Sequence, residues 1–253
     1  MPDLVIAIGN TRIRAAVFEQ GILVVDYAYA HNQTDLLKAV LEEYLGARTL
    51  NNIAIATVVP ELITPWHHLP QTQMITKEMI PLSGIYPTMG LDRVLTALGA
   101  WLKYKSPVLV IDCGTAISLT GINGDRRIIG GAILAGLRMQ LQSLNRATAA
   151  LPLIDLPADL SQNLIKNFPS RWATDTPSAI YSGLIYTVAA GLEDFIEDWR
   201  SLYANTQIIF TGGDSELIIQ FLNSKSSSKL DNSYLSQVQL DKNLIFKGIA
   251  AIF

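Results

Sequence analysis

Three glycine turns follow apolar runs in this chain: Gly9-Asn10-Thr11 after Leu4 to Ile8, Gly114-Thr115 after Val108 to Cys113, and Gly212-Gly213 after Gln207 to Phe210. A glycine turn at the end of a buried strand leaves backbone amides bare, and amides with no opposing side chain can surround an anionic phosphate. Each alone is an ordinary turn. Together, in a hairpin frame that occurs twice, they point to two phosphate-binding hairpins, Ala7 to Arg14 (Ala7, Ile8, Gly9, Asn10, Thr11, Arg12, Ile13, Arg14) and Gly114-Thr115, with Gly212-Gly213 as a turn for a nucleoside. No GxxxxGK[ST] or GxGxxG occurs, so the P-loop and Rossmann readings lack their defining residues.

Two carboxylates stand where they can do chemistry. Asp112 ends an apolar run just before Gly114-Thr115; there it can hold a cation that neutralises phosphate charge, or cap the neighbouring turn. Asp92 and Arg93, in Gly90-Leu91-Asp92-Arg93, open a helical pattern. Asp92 is either a first-turn carboxylate that accepts amides and complements the helix dipole, or a general base with Arg93 as its anion clamp. His67-His68 have no further ligands at helical spacing and read as surface residues. The four tryptophans, Trp66, Trp101, Trp172 and Trp199, read as core or interface packing. Cys113 reads as a small buried hydrophobe, because no base for a thiolate is identifiable.

Alternating apolar runs and turn signals predict three antiparallel strands, Leu4 to Ile8, Ile13 to Phe18 and Ile22 to Tyr29. A helix follows over Thr34 to Leu45, then a strand over Asn52 to Val58. The proline-rich stretch from Pro60 to Pro87 predicts loops with one short strand, and Asp92 to Lys103 predicts a helix that Gly99 weakens. After Lys103 to Pro107 the opening pattern returns: Val108 to Cys113, Ile117 to Ile122, Asn123-Gly124, Arg126 to Leu134, then a helix from Leu137. Asn-Gly tolerates the positive φ of a tight hairpin. The repeat predicts two similar halves, 1–105 with the first phosphate hairpin and 106–253 with the second hairpin and the nucleoside turn. Thr176-Pro177 has the form of an N-cap and first helical residue for a helix running to Leu202. Serine-rich 224–236 predicts a surface loop.

Composition sets the outer limits. The chain has 253 residues, 49% of them hydrophobic, with 19 Lys+Arg against 22 Asp+Glu, a net charge of −3. That balance excludes a long disordered tail and argues against a nucleic-acid partner bound through a broad basic field. The longest apolar stretches, Ile128 to Leu137 and Leu244 to Phe253, fall short of the roughly 20 residues a spanning helix needs, so no membrane partner is expected. The start, MPDLVIAIGN, lacks a basic leader, and one cysteine cannot pair within the chain. A cytoplasmic protein is the expectation.

These motifs resemble those of the type III pantothenate kinases, in the sugar kinase, heat-shock ATPase and actin superfamily. The likeness covers Gly9-Asn10-Thr11, Gly90-Leu91-Asp92-Arg93, Asp112-Cys113-Gly114-Thr115, Gly130-Gly131-Ala132-Ile133, Thr176, Gly212-Gly213 and Leu244-Ile245-Phe246-Lys247-Gly248. Gly-x-Asp-Arg preceding Asp-x-Gly-Thr by 20 residues, Asp92 to Asp112, is the most discriminating pair. The resemblance implies an α/β fold of two similar actin-like, ribonuclease H-like domains, each with a mixed sheet that opens in a β-hairpin and is flanked by helices. It implies ATP-dependent phosphorylation of pantothenate on its primary hydroxyl, the first step of coenzyme A synthesis. Asp92 would then be the catalytic proton acceptor, with Gly90, Leu91, Arg93, Thr176 and Tyr86 at pantothenate. Asp112 would bind a monovalent cation, K⁺ or NH₄⁺, and Thr115 would contact ATP, which is used with Mg²⁺. A homodimer whose pocket borrows residues across the interface is also implied.

Two positions depart from the pattern. The family opens Asp-x-Gly-Asn-Thr, where this chain has Ala7-Ile8-Gly9-Asn10-Thr11. The absent carboxylate normally helps position Mg²⁺ through water, so its loss weakens ATP use, shifts the metal to Asp112, or marks a silent nucleotide-binding regulator or transcriptional accessory protein on the same fold. Ala135 stands where the family has proline, a change of loop stiffness.

Overall fold

The computed structural model describes residues 1–46, 48–63, 66, 71–156, 168–225 and 238–252. His67-His68 and most of the 224–236 segment lie outside them. Two compact units emerge: Met1–Lys105 with Gly124–Ile128 and Asn243–Phe253, and Ser106–Asn123 with Ile129–Lys242. The first is thus discontinuous in sequence, unlike the 1–105 and 106–253 division expected from the repeated hairpin.

In the first unit β1 (Asp3–Ile8), β2 (Arg12–Glu19), β3 (Ile22–Ala30), β4 (Ile53–Thr57) and β5 (Thr72–Met74) form one sheet in the order β3-β2-β1-β4-β5. β1 to β3 are antiparallel neighbours, and β4 and β5 add in parallel. Side chains alternate across a strand. On β1, Leu4, Ile6 and Ile8 therefore join Leu37 and Leu41 of α1 (Thr34–Leu45) in one apolar cluster. Val5 and Ala7 join Val94, Leu95 and Leu98 of α2 (Leu91–Tyr104) in another. Both faces of the sheet are covered, which is why its strands read as nearly continuous apolar runs.

The second unit repeats the plan. β6 (Val108–Cys113), β7 (Ala116–Ile122), β8 (Ile128–Ala135), β9 (Gln207–Thr211) and β10 (Val238–Leu240) lie in the order β10-β9-β6-β7-β8. Renumbered from its own first strand, this is the same 3-2-1-4-5 arrangement. Again the first pair, β6 with β7, is antiparallel, and β9 and β10 add in parallel. Helices α3 (Leu137–Ala147), α4 (Thr176–Leu202) and α5 (Ser215–Lys225) pack with this sheet. Two mixed sheets of this order, each opening in a hairpin and flanked by helices, make the actin-like fold.

By length and composition α4 is the one helix among the described residues that could cross a bilayer. Ile180, Leu184, Ile185, Val188, Ala189, Leu192 and Ile196 instead sit in the core of the second unit. Trp199 of the same helix lies against Gly121, where a Cβ would meet its ring at 2.4 Å, so only glycine lets strand and indole approach. Its indole N–H donates to the Thr206 hydroxyl at 2.7 Å. Trp66, Trp101 and Trp199 are buried, as expected of packing residues, whereas Trp172 is 86% exposed.

The last helix, α6 (Leu244–Ala250), returns to the first unit and lies on α2. Two glycines make that crossing possible: a Cβ on Gly99 would strike the Leu244 carbonyl, and one on Gly248 the Leu95 carbonyl. Gly99, a weak point when α2 is read alone, is what admits α6.

Candidate functional site

The first hairpin is built by β1 and β2, paired through Ala7 with Arg14 and Ile8 with Ile13. The Gly9 N–H donates to the Arg12 carbonyl at 3.0 Å and closes the turn. Asn10, Thr11 and Arg12 are exposed, whereas Ala7, Ile8 and Ile13 are buried in the apolar clusters on either face. Of the eight residues expected here, the turn faces solvent and the flanking apolar ones fix its place. Arg14 is half-buried. Its guanidinium donates to Asn243 Oδ1 at 3.0 Å, lies 3.8 Å from the Asp26 carboxylate and stacks 4.6 Å above the Phe246 ring. Ala7, 5% exposed, therefore faces an arginine across the strand pair rather than offering a carboxylate of its own.

In the same unit Gly90 precedes α2 in extended conformation, and a Cβ there would fall 2.5 Å from Asp92 Oδ1. The glycine leaves room for that carboxylate, which accepts the Arg93 N–H at 2.8 Å. Arg93 is only 8% exposed, and its Nη1 donates to the Tyr86 hydroxyl at 2.9 Å. Leu91 packs partly into the apolar cluster beneath. Lys77 holds the 86–90 loop from outside, its Nζ donating to the carbonyls of Pro87 and, at 3.2 Å, Met89. Asp92, Arg93 and Tyr86 thus form one group: a half-buried carboxylate, a buried guanidinium and a phenol at a helix start. Such a group can take a proton from a hydroxyl and grip an anion.

In the second unit Gly114 N–H donates to the Ala116 carbonyl at 3.0 Å and closes the β6–β7 turn. Asp112 Oδ1 lies between two glycines, 3.7 Å from where a Cβ of Gly114 would stand and 2.5 Å from that of Gly212. Gly212 has φ +90°, in the left-handed region, and its missing side chain also admits the Cys113 carbonyl. Asp214 N–H donates to that carbonyl at 2.9 Å, so the Gly212-Gly213 turn is tied to the end of β6. Gly136, at the start of α3, supports the hairpin from behind: its N–H donates to the Thr115 carbonyl at 3.1 Å, and a Cβ there would strike the Gly114 and Thr115 carbonyls. Arg138 in the first turn of α3 pairs with Asp214 at 2.9 Å.

Cys113 is fully buried, and burial first, then the charges of Asp112 and Asp214, push its thiol well above the usual range. Buried in the core of the second unit, it packs as a small hydrophobe. No group of three or more His, Cys, Asp or Glu gathers among the described residues. A single carboxylate such as Asp112 does not make a zinc-type cage.

Thr176 is exposed at the first residue of α4. The cap lies one residue earlier than expected, because Asp175 in extended conformation accepts the Ser178 N–H at 2.9 Å. A carboxylate is a stronger acceptor than the threonine hydroxyl and takes the role. That hydrogen bond holds the Asp175 carboxyl below its ordinary value of 3.8. Beside this helix start lies an open groove of about 350 Å³, lined by residues that include Arg171, Trp172, Ser182 and Tyr186.

Sequence reasoning missed His31, Lys77, Arg138 and Asp214. His31 Nε2 donates to the Gly9 carbonyl at 2.9 Å, a contact 22 residues distant in sequence that only the β2–β3 return creates. Arg138 and Asp214 each adjoin a glycine motif, Gly136 and Gly212-Gly213, and that adjacency is the signal that could have found them.

Comparison with known proteins gives this site its context. The family profile described as "Type III pantothenate kinase" matches residues 3–198. A curated type III pantothenate kinase of Synechocystis is 37% identical over 251 residues, covering 99% of this chain and 90% of that protein. Among solved structures, a Campylobacter jejuni chain assigned to the Baf family of transcriptional activators superposes with a TM-score of 0.59 at 19% identity, covering 98% of this chain and 96% of its own. An activator of 2-hydroxyisocaproyl-CoA dehydratase from Clostridium difficile, with ADPNP bound, gives 0.53 at 9% identity, covering 100% and 92%. At such identities the two structures speak for the fold.

Proposed function

The chain belongs to the type III pantothenate kinase family, and on that ground we propose that it transfers a phosphoryl group from ATP to the primary hydroxyl of pantothenate, giving 4′-phosphopantothenate at the entry to coenzyme A synthesis. The observation that carries this reading is the group at the start of α2. Asp92, given room by Gly90, accepts the Arg93 backbone N–H at the helix start, and the buried Arg93 guanidinium is held by Tyr86. Phosphoryl transfer asks for positioning and charge neutralisation more than for covalent chemistry, and one carboxylate with one anion clamp meets the acceptor's share of that demand.

In this reading Asp92 accepts the hydroxyl proton as the oxygen attacks the γ-phosphorus. Arg93 and Tyr86 grip the pantothenate carboxylate, and Thr176 adds a hydroxyl contact. The turn amides of Gly9 to Thr11 and of Gly114 to Thr115 each hold phosphate oxygens, with Arg12 and Arg14 adding positive charge at the first turn. Gly212-Gly213 takes the nucleoside. Asp112 would hold a monovalent cation, K⁺ or NH₄⁺, whose charge offsets that of the phosphates when it is bound. The methyl of Ala7 offers no oxygen to Mg²⁺, so the first hairpin contributes backbone and arginine rather than a metal ligand. We place the enzyme in the cytoplasm as a homodimer.

The test is direct: purified protein with ATP, Mg²⁺, K⁺ and pantothenate should yield phosphopantothenate, and Asp92→Asn should not. One observation favours a second reading. With alanine buried at position 7, the chain could bind nucleotide without turning it over, as a regulatory protein. ATP binding with no product would select that reading.

A further inference from the structure

We propose that His31 is a positioning residue for the first phosphate hairpin, aiming the Asn10 amide at the bound phosphates through its hydrogen bond to the Gly9 carbonyl. The inference rests on the reading that this hairpin binds ATP. The contact is 2.9 Å long from ring Nε2 to the carbonyl oxygen. A carbonyl can only accept, so Nε2 carries the proton.

The consequence follows from peptide geometry. The chain has no cis peptide among the described residues, and in a trans peptide the carbonyl of one residue and the N–H of the next point in opposite directions from one plane. Fixing the Gly9 oxygen on His31 therefore turns the Asn10 N–H away from the ring, toward the open side of the turn. Glycine at position 9 makes such an anchor necessary. With no Cβ its ψ rotates freely, and a flipped peptide would present a carbonyl oxygen where a phosphate should meet a donor.

The placement of His31 is itself built into the fold. Ala30, the last residue of β3, pairs with Arg12 at the far side of the turn, so the next side chain reaches back to Gly9. His31 is half-buried, and its own carbonyl accepts the Thr34 hydroxyl at 2.7 Å. The backbone that carries the ring is thus tied to the first turn of α1. The other end of the hairpin turn is closed by Gly9 N–H to the Arg12 carbonyl.

The experiment compares the full-length protein with His31→Leu, which has no donor, and His31→Gln, whose amide nitrogen can donate from a similar reach. MgATP affinity is measured by equilibrium binding, alongside KM for each substrate and the thermal midpoint. One hydrogen bond to a loop that must hold its orientation predicts roughly tenfold weaker MgATP binding in His31→Leu. KM for pantothenate should be unchanged, and His31→Gln should recover most of the loss. The inference is overturned if His31→Leu binds MgATP as wild type does, if it weakens both substrates alike, or if Gln rescues no better than Leu. Wild-type protein that binds MgATP but makes no phosphopantothenate would overturn the kinase reading alone, since the binding arm still decides the role of His31. Wild-type protein that binds no MgATP would overturn both.

Discussion

Asp92 carries the chemical claim at the scale of single residues. A positioned general base contributes about 10² to 10⁴ in rate. Asp92→Asn keeps the shape and the hydrogen-bond acceptor that meets the Arg93 N–H while removing the basicity. It should lower kcat by that factor and leave MgATP affinity within about twofold, as read by single-turnover kinetics and equilibrium binding. Ala7→Asp is the complementary gain. Position 7 is buried directly across the strand pair from Arg14, so a carboxylate there meets a guanidinium and can serve Mg²⁺. Turnover at limiting Mg²⁺ should rise, and an unchanged Mg²⁺ titration would show that the missing carboxylate does not limit this enzyme. The motifs at this scale were legible because type and spacing alone mark them. His31 was not, because nothing in the sequence links it to Gly9; the link exists only once β2 and β3 pair.

Among the elements, α2 and α6 pack backbone against backbone. Gly99 and Gly248 let the two backbones touch, and alanine at either site would drive a Cβ into a carbonyl. Gly248→Ala should destabilise by about 1 to 3 kcal/mol in urea unfolding. Gly191→Ala on α4, where a Cβ would meet nothing within 4 Å, should instead stabilise by roughly 0.5 to 1 kcal/mol through helix propensity. Equal effects at the two sites would contradict the packing account. The cap of α4 adds a pH dependence. Because the folded pKa of Asp175 is lowered, its stabilisation is present above the unfolded value near 3.8 and is lost as pH falls through the folded one. Wild type should lose thermal midpoint on acidification that Asp175→Asn, which caps without titrating, does not lose. The strands of both opening hairpins and the helices α1 and α2 were readable from periodicity to within a residue or two, whereas the short edge strand β10 carries too few residues to show a period. What periodicity could not supply was the partner of each face, and so Gly99 read as a weakness and the cap of α4 fell one residue late.

For the whole molecule, the repeated hairpin was visible because glycine turns punctuate apolar strands in both halves, Gly9-Asn10-Thr11 and Gln20-Gly21 in the first and Gly114-Thr115 and Asn123-Gly124 in the second, and both sheets share one strand order. The return of α6 to the first unit was not visible, since its contact depends on two absent side chains rather than on any pattern of present ones. The near-neutral composition agrees with the proposal that turn amides and a few placed arginines meet the anionic ligands. Trp172, 86% exposed beside the groove at the start of α4, is suited to burial by a second copy. Sedimentation should therefore give a dimer, with Trp172→Ala weakening it. The central claim is best tested by following a mixture of the protein, ATP, Mg²⁺, K⁺ and pantothenate by phosphorus NMR. The account predicts a phosphomonoester on the pantothenate primary hydroxyl in step with ADP; bound ATP with no phosphomonoester, or release of inorganic phosphate alone, would contradict it.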